Sequence, residues 1–174
     1  DDTKECVIID PGCFFQEEKA LLLDFILDND LVVKHLLNTH LHFDHVFGNN
    51  FIYERFHLEP EANKKDEFLL EKFPEQLRMF GFNDEASQIP KIGKYLSEND
   101  VVTFGNQRLI VLEVPGHSPG SIVFYNQDAG CLFVGDVLFR GSVGRTDLEG
   151  GNHQQLIDGI KEKLLTLPSD TVVY

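Results

Sequence analysis

Short apolar runs closed by glycine and proline alternate along this chain with stretches whose apolar residues recur at helical spacing. ECVIID (5–10), followed by Pro11 and Gly12, predicts a buried strand ending in a tight turn. QEEKALLLDFILDND (16–30) opens on acidic residues and places Leu22, Phe25 and Ile26 on one helical face, which is expected to pack against the preceding strand. LVVKHLL (31–37) is a second β-rich run, and it delivers the chain into NTHLHFDH (38–45), where ligand-type side chains at a strand's carboxyl end suit an α/β site. From Val46 to about Asn99 the pattern reads as helical, interrupted by Pro74, and most of this segment is expected at the periphery. VVTF, a Gly105-Asn106 turn and QRLIVLEVP predict a hairpin, and SIVFYNQDAGCLFVGD predicts another with its turn near Asp128 to Gly130. HQQLIDGIKEKLLTLP is a final amphipathic helix ended by Pro168, and TVVY starts a further strand. Hairpins alternating with helices predict an α/β sandwich of two mixed β-sheets rather than a doubly wound parallel sheet, and no GxGxxG or Walker sequence argues otherwise.

Composition narrows the picture. With 174 residues, 42% of them apolar, the chain can build one substantial core, so a single domain over 1–174 is expected, with a helical insertion at about 52–99. The net charge of −14 repels phosphate backbones and anionic headgroups, which argues against nucleic-acid and membrane partners. Cys6, Cys13 and Cys131 show no CxxC spacing and lie in or beside apolar runs, so they read as core thiols in a reducing, cytoplasmic setting. No window approaches the roughly 20 apolar residues that span a bilayer, and no basic stretch followed by an apolar one opens the chain.

Chemistry concentrates in THLHFDH. His40, His42, Asp44 and His45 are all ligand types for zinc or iron, and composition alone would give this spacing roughly once in 10³ such chains. In an extended segment His40 and His42 project to the same side and can meet at one ion, while a turn at Asp44 and His45 can direct those side chains to a second. A polar loop holding four desolvated side chains without a metal would leave donors or acceptors unpaired at about 1–3 kcal/mol each. His117 in EVPGHSPGS sits in a loop fixed by prolines and glycines, where it is either a third imidazole ligand or a loop residue bonded to backbone. Asp136 follows the apolar CLFVG, where a carboxylate needs a nearby cation unless it caps a helix.

THLHFDH, PGHSPGS, FVGDVLF and GSVGRTD resemble successive motifs of the metallo-β-lactamase superfamily, especially its glyoxalase II-like branch, across nearly the whole chain. The resemblance implies an αββα fold and two divalent ions, zinc first, with iron or manganese as alternatives. It implies His40, His42 and His117 on one metal, Asp44 and His45 on the second, and Asp136 bridging both. It also implies a further histidine after the TVVY strand and a strand ahead of ECVIIDPG, so the sequence is expected to be clipped at both ends. His153 opens the final helix and is a poor replacement for that histidine.

The expected activity is hydrolysis of a small-molecule thioester such as a hydroxyacylglutathione, with Asp44 as the catalytic carboxylate orienting the nucleophile. A thiolate leaves without a general acid, which favours thioester over amide cleavage. The rival is the mononuclear-iron persulfide dioxygenase branch, which shares the histidine loop and GRTD-like sequence; the other is a non-catalytic metal-binding or partner-binding protein. β-Lactam hydrolysis is disfavoured because such enzymes are usually exported, and a flavodiiron-type site because it would place a glutamate where His42 stands. Arg145 is read first as an ion-pair partner of Asp147. Substrate-binding residues and oligomeric state are left open.

Overall fold

The computed structural model describes residues 2–79, 81–82 and 91–174. Strand β1 (Glu5–Ile9) leads through the Asp10-Pro11-Gly12 turn into helix α1 (Gln16–Asp28). Glu18 reaches back to accept from the backbone N–H groups of Phe14 (2.8 Å) and Phe15 (2.9 Å), satisfying donors the first turn would leave bare. Strand β2 (Val32–Leu37) then feeds the one-turn helix α2 (Phe43–Val46) and helix α3 (Asn49–Phe56). After β3 (Pro60–Ala62) and a turn at Lys64–Asp66 come α4 (Glu67–Glu71) and α5 (Phe73–Met79), separated at Lys72 as Pro74 requires. Strand β4 (Lys94–Tyr95) precedes β5 (Val101–Phe104) and β6 (Gln107–Glu113), the hairpin expected at Gly105-Asn106. Strands β7 (Ile122–Asn126) and β8 (Cys131–Phe133) form the second hairpin, followed by a short ribbon of β9 (Leu138–Phe139) and β10 (Ser142–Val143). Helix α6 (His153–Gly159) starts at an Asn152 cap that accepts from the Gln155 N–H, widens into a π-turn over Ile160–Leu164, and gives way to β11 (Val172–Val173).

One sheet runs β1-β2-β3-β4 with parallel pairings; the other runs β11-β8-β7-β6-β5, antiparallel except for β11 on β8. Period-two alternation sorts their side chains into layers. Leu37, Leu109, Val111, Ile122 and Phe124 fill the space between the sheets. Their neighbours Val123, Tyr125 and Leu132 turn outward onto Leu156 and Ile160 of the C-terminal helix, while Ile8 and Leu36 turn the other way onto Ile26 of α1 and Ile52 of α3. Helix, sheet, sheet and helix therefore stack in that order, as expected from the hairpin and helix pattern.

Two expectations need correction. Segment 46–99 was expected to be helical and peripheral, yet it contributes β3 and β4 to the first sheet, and Ala62, Leu69, Phe73 and Leu77 pack as a core cluster with Leu41 of the histidine loop. Three-residue and two-residue strands are too short to show an alternation against flanking amphipathic helices. In α1, Ile26 is buried but Phe25 is 62% exposed. Helical geometry puts residue 25 about 100° from residue 26, so a single narrow contact stripe leaves Phe25 on the flank. Among the described residues no helix is long and apolar enough to cross a membrane.

Candidate metal centre

The histidine loop leaves β2 at its carboxyl end and is anchored on both sides before it reaches His40. The Thr39 N–H donates to Asp10 Oδ1 (2.7 Å) and the Thr39 carbonyl accepts from the Ile122 N–H of β7 (2.8 Å), so the loop bridges the two sheets. Asn38, fully buried, donates to the His45 carbonyl (3.2 Å) and accepts from Asn49 (2.8 Å), which closes α2 against the strand end. Room for these approaches comes from missing side chains. Gly135 has φ +49°, and a Cβ there would lie 2.2 Å from Thr39 Oγ1; a Cβ on Gly144 would lie 1.8 Å from the Asp136 carbonyl oxygen.

Three imidazoles converge here. His42 Nδ1 lies 2.9 Å from His117 Nε2, which lies 3.2 Å from His40 Nε2, and all three side chains are buried. Their other contacts decide the tautomers of two. The Arg145 carbonyl can only accept, so His117 Nδ1 (2.8 Å) carries its proton and Nε2 presents a lone pair. Thr39 gives its hydroxyl proton to Asp10 Oδ2 (2.5 Å) and accepts from His40 Nδ1 (3.1 Å), leaving His40 Nε2 bare as well. Burial first, then the neighbouring histidines, pushes His40 well below the ordinary imidazole pKa and His42 down to about 4, so both stay neutral. Bare lone pairs facing one another repel, whereas tetrahedral nitrogen ligands at roughly 2.0–2.1 Å from zinc sit about 3.4 Å apart. The donor set fits a divalent ion.

Beside it lies a more exposed, charged group. His45 Nε2 is 3.3 Å from Asp136 Oδ1 and 3.8 Å from Asp44 Oδ2, and Asp136 Oδ2 is 3.6 Å from His117 Nε2. Asp136 therefore stands between the two groups of residues, and its carboxylate touches both. Burial alone would lower the pKa of His45, but its hydrogen bonds to Asp10 and Asp136 and the charges of Asp10 and Asp44 outweigh this and raise it to about 10. Burial opposes ionisation of Asp136, and the hydrogen bond and charge of His45 win, holding the carboxyl below its ordinary value.

All six predicted residues, His40, His42, Asp44, His45, His117 and Asp136, are thus gathered in one place. Asp10 was missed. It accepts from Thr39 N–H and hydroxyl and from His45 Nδ1 (3.1 Å), orienting one imidazole directly and another through Thr39. With both oxygens occupied it acts as support, although it also lies within ligand distance of His40 and His45. The available signal was a lone aspartate ahead of Pro-Gly at a strand end, held at the left-handed φ of +47°. Asp66, also missed, is fully buried within the segment read as peripheral. Arg145 forms the expected two-pronged ion pair with Asp147, 2.7 Å at each contact, and His153 is an exposed residue at the start of α6. Cys6, Cys13 and Cys131 are free but only half-buried, not core thiols, and burial raises the pKa of each.

A cavity of about 260 Å³ opens onto this centre, walled by Phe43, Leu69, Met79 and Leu148 and reached by His42, Asp44, His117 and Asp136. The chain matches the metallo-beta-lactamase superfamily over residues 1–174. It is 37% identical over 174 residues to "Hydroxyacylglutathione hydrolase GloC" of Haemophilus influenzae, covering 99% of this chain and 80% of that one. Among solved structures it is similar to BLEG-1, a B3 metallo-beta-lactamase (34% identity, TM-score 0.86, 99% of this chain and 81% of that chain). It is similar also to TTHA1623 in a di-iron-bound form (37%, TM-score 0.82, 97% and 79%) and to ETHE1 from Myxococcus xanthus (28%, TM-score 0.76, 99% and 64%). Superfamily members bind divalent metal ions, and a sandwich whose converging histidines meet that requirement, together with a match along its entire length, makes this chain a member of the metallo-β-lactamase superfamily.

Proposed function

We propose that the chain is a metal-dependent hydrolase of acyl thioesters. The observation that carries this reading is the placement of His40 Nε2, His42 Nδ1 and His117 Nε2 next to the Asp136–His45 pair at an apolar-walled cavity. His40, His42 and His117 would hold one divalent ion, Asp44 and His45 a second, and Asp136 both, with residues 1–174 acting as a single domain. Such ions supply a strong nucleophile at neutral pH and polarise a carbonyl.

The chain's own residues do the rest. Asp44, with 55% of its side chain exposed, is accessible to accept a hydrogen bond from the attacking water and fix its direction. Phe43, Leu69, Met79 and Leu148 bury the apolar part of the acyl group and exclude bulk water from the carbonyl. The thiolate leaves unprotonated, so the cavity needs no separate acid. The relative named as a hydroxyacylglutathione hydrolase supports a thioester, and free cysteines support a reducing, cytoplasmic setting.

A second reading, an iron-dependent persulfide dioxygenase, is favoured by the likeness to ETHE1. Purified protein reconstituted separately with zinc and with iron separates them: metal content per chain is measured, then turnover of S-lactoylglutathione, glutathione persulfide with oxygen uptake, and a β-lactam. Two ions with thioester cleavage are expected; one iron with oxygen uptake, or β-lactam opening alone, would overturn the thioesterase reading.

A further inference from the structure

The two histidine loops come from opposite sheets, yet their imidazoles meet within hydrogen-bonding distance, so something must hold one loop against the other. One buried carboxylate lies between them. Asp66 accepts from the Leu41 N–H (3.3 Å), from Ser118 Oγ (2.6 Å) and from the Gly120 N–H (2.6 Å). Leu41 separates His40 from His42, and Ser118 follows His117 directly, so every bond ends within three residues of a histidine of the convergent set.

The surroundings are built for this carboxylate. Asp66 is 0% exposed, and burial raises its pKa against the lowering effect of its three donors. An ionised carboxylate in such a place is tolerated only when its lone pairs are used, and the 2.6 Å contact from the Ser118 hydroxyl has the length of a charge-assisted bond. A Cβ on Gly120 would lie 2.7 Å from Asp66 Cγ, so glycine is required for the approach. Ser118 is held in turn by Ser121 Oγ (2.8 Å). Asp66 itself is placed by Asn63 at the end of β3, whose carbonyl accepts from the Asp66 N–H (3.2 Å) and whose side chain donates to the Leu96 carbonyl (3.0 Å) and to Glu113 (3.0 Å).

We propose that Asp66 is a positioning residue that clamps the loops of residues 39–42 and 117–120 together and thereby sets the spacing of His40, His42 and His117. This rests on the reading of those histidines as a metal set, but the clamp is a property of the chain and can be tested without metal. Asp66→Asn keeps the shape while replacing one acceptor oxygen by a donor among donors. Ser118→Ala removes one bond and serves as the milder variant should Asp66→Asn fail to fold.

Full-length wild type, Asp66→Asn and Ser118→Ala are compared as metal-free proteins by amide hydrogen exchange, then titrated with zinc against a chelator and with cobalt while the visible spectrum is recorded. Faster exchange at Leu41 and Gly120 is expected, with circular dichroism unchanged. Zinc affinity should fall about 10–100-fold in Asp66→Asn, less in Ser118→Ala, with altered cobalt bands and kcat reduced more than KM. A folded Asp66→Asn with wild-type exchange at both amides overturns the clamp. So does loosened exchange accompanied by unchanged zinc affinity and cobalt bands, because the spacing would then be set elsewhere. If wild type takes up neither ion while the amides loosen as expected, the clamp stands and the metal reading fails.

Discussion

The two halves of the centre are assembled by opposite physical means. His40, His42 and His117 are buried, His40 and His42 are held neutral by that burial and by the neighbouring histidines, and the Nε2 atoms of His40 and His117 face the site because hydroxyl and carbonyl partners occupy their Nδ1 positions. Asp44, His45 and Asp136 are more exposed and organised by charge: His45 is raised to about 10 by the carboxylates around it, and in the metal-free protein its imidazolium supplies the positive charge they need. The first half is ready for a cation at any ordinary pH. The second must give up a proton to receive one.

Removing the neutral half should do most damage. His117→Ala is expected to lose the ion held by the three histidines and more than about 100-fold in thioester turnover, beyond the 10–100-fold typical of outer partners, read by metal content and steady-state kinetics. Asp136→Ala touches both halves, so both ions should be retained poorly and turnover should fall about 100-fold; near-normal activity would rule out the bridging role. Asp10→Asn should weaken both halves by about 10–100-fold, whereas Thr39→Val, which removes the hydroxyl joining Asp10 to His40 but leaves Asp10 on His45, should weaken the first more than the second, as zinc titrations against a chelator would reveal.

The mildest test is pH. With the pKa of His45 raised to about 10, proton and ion compete below that value, so affinity at the second position should climb about tenfold per pH unit between pH 6 and 9. The first position, with His42 at about 4, should stay flat over the same range. The sign for stability is opposite: a raised imidazole pKa stabilises the metal-free fold fully below about 6.5, and this contribution disappears as pH rises through about 10. Equal slopes at the two positions would erase the contrast between them.

Most of the layered architecture and all six converging side chains were legible because they are locally encoded. Four ligand-type residues crowd six positions of the first loop, and His117 and Asp136 each follow an apolar run closed by glycine. Asp10 and Asp66 were not legible, because their side-chain partners lie 28 to 35 and 25 to 54 residues away and no spacing around them differs from that of a surface acid. The strand at Pro60–Ala62 escaped for a related reason: three buried residues show no period, and only the neighbouring strand makes them a strand. The β9–β10 ribbon is shorter still, and its local pattern carries no hairpin signal comparable with Gly105-Asn106.

The backbone at Asp10 imposes a double restriction on substitution. Its φ of +47° admits glycine or asparagine with little strain, and excludes β-branched residues. The side-chain environment, with four donors around two oxygens, asks for a negative acceptor of that length and no other. Randomising this single codon should therefore return few working clones. Asparagine should express well yet perform poorly, and glutamate, too long for the turn, should be recovered more rarely than its shared charge suggests.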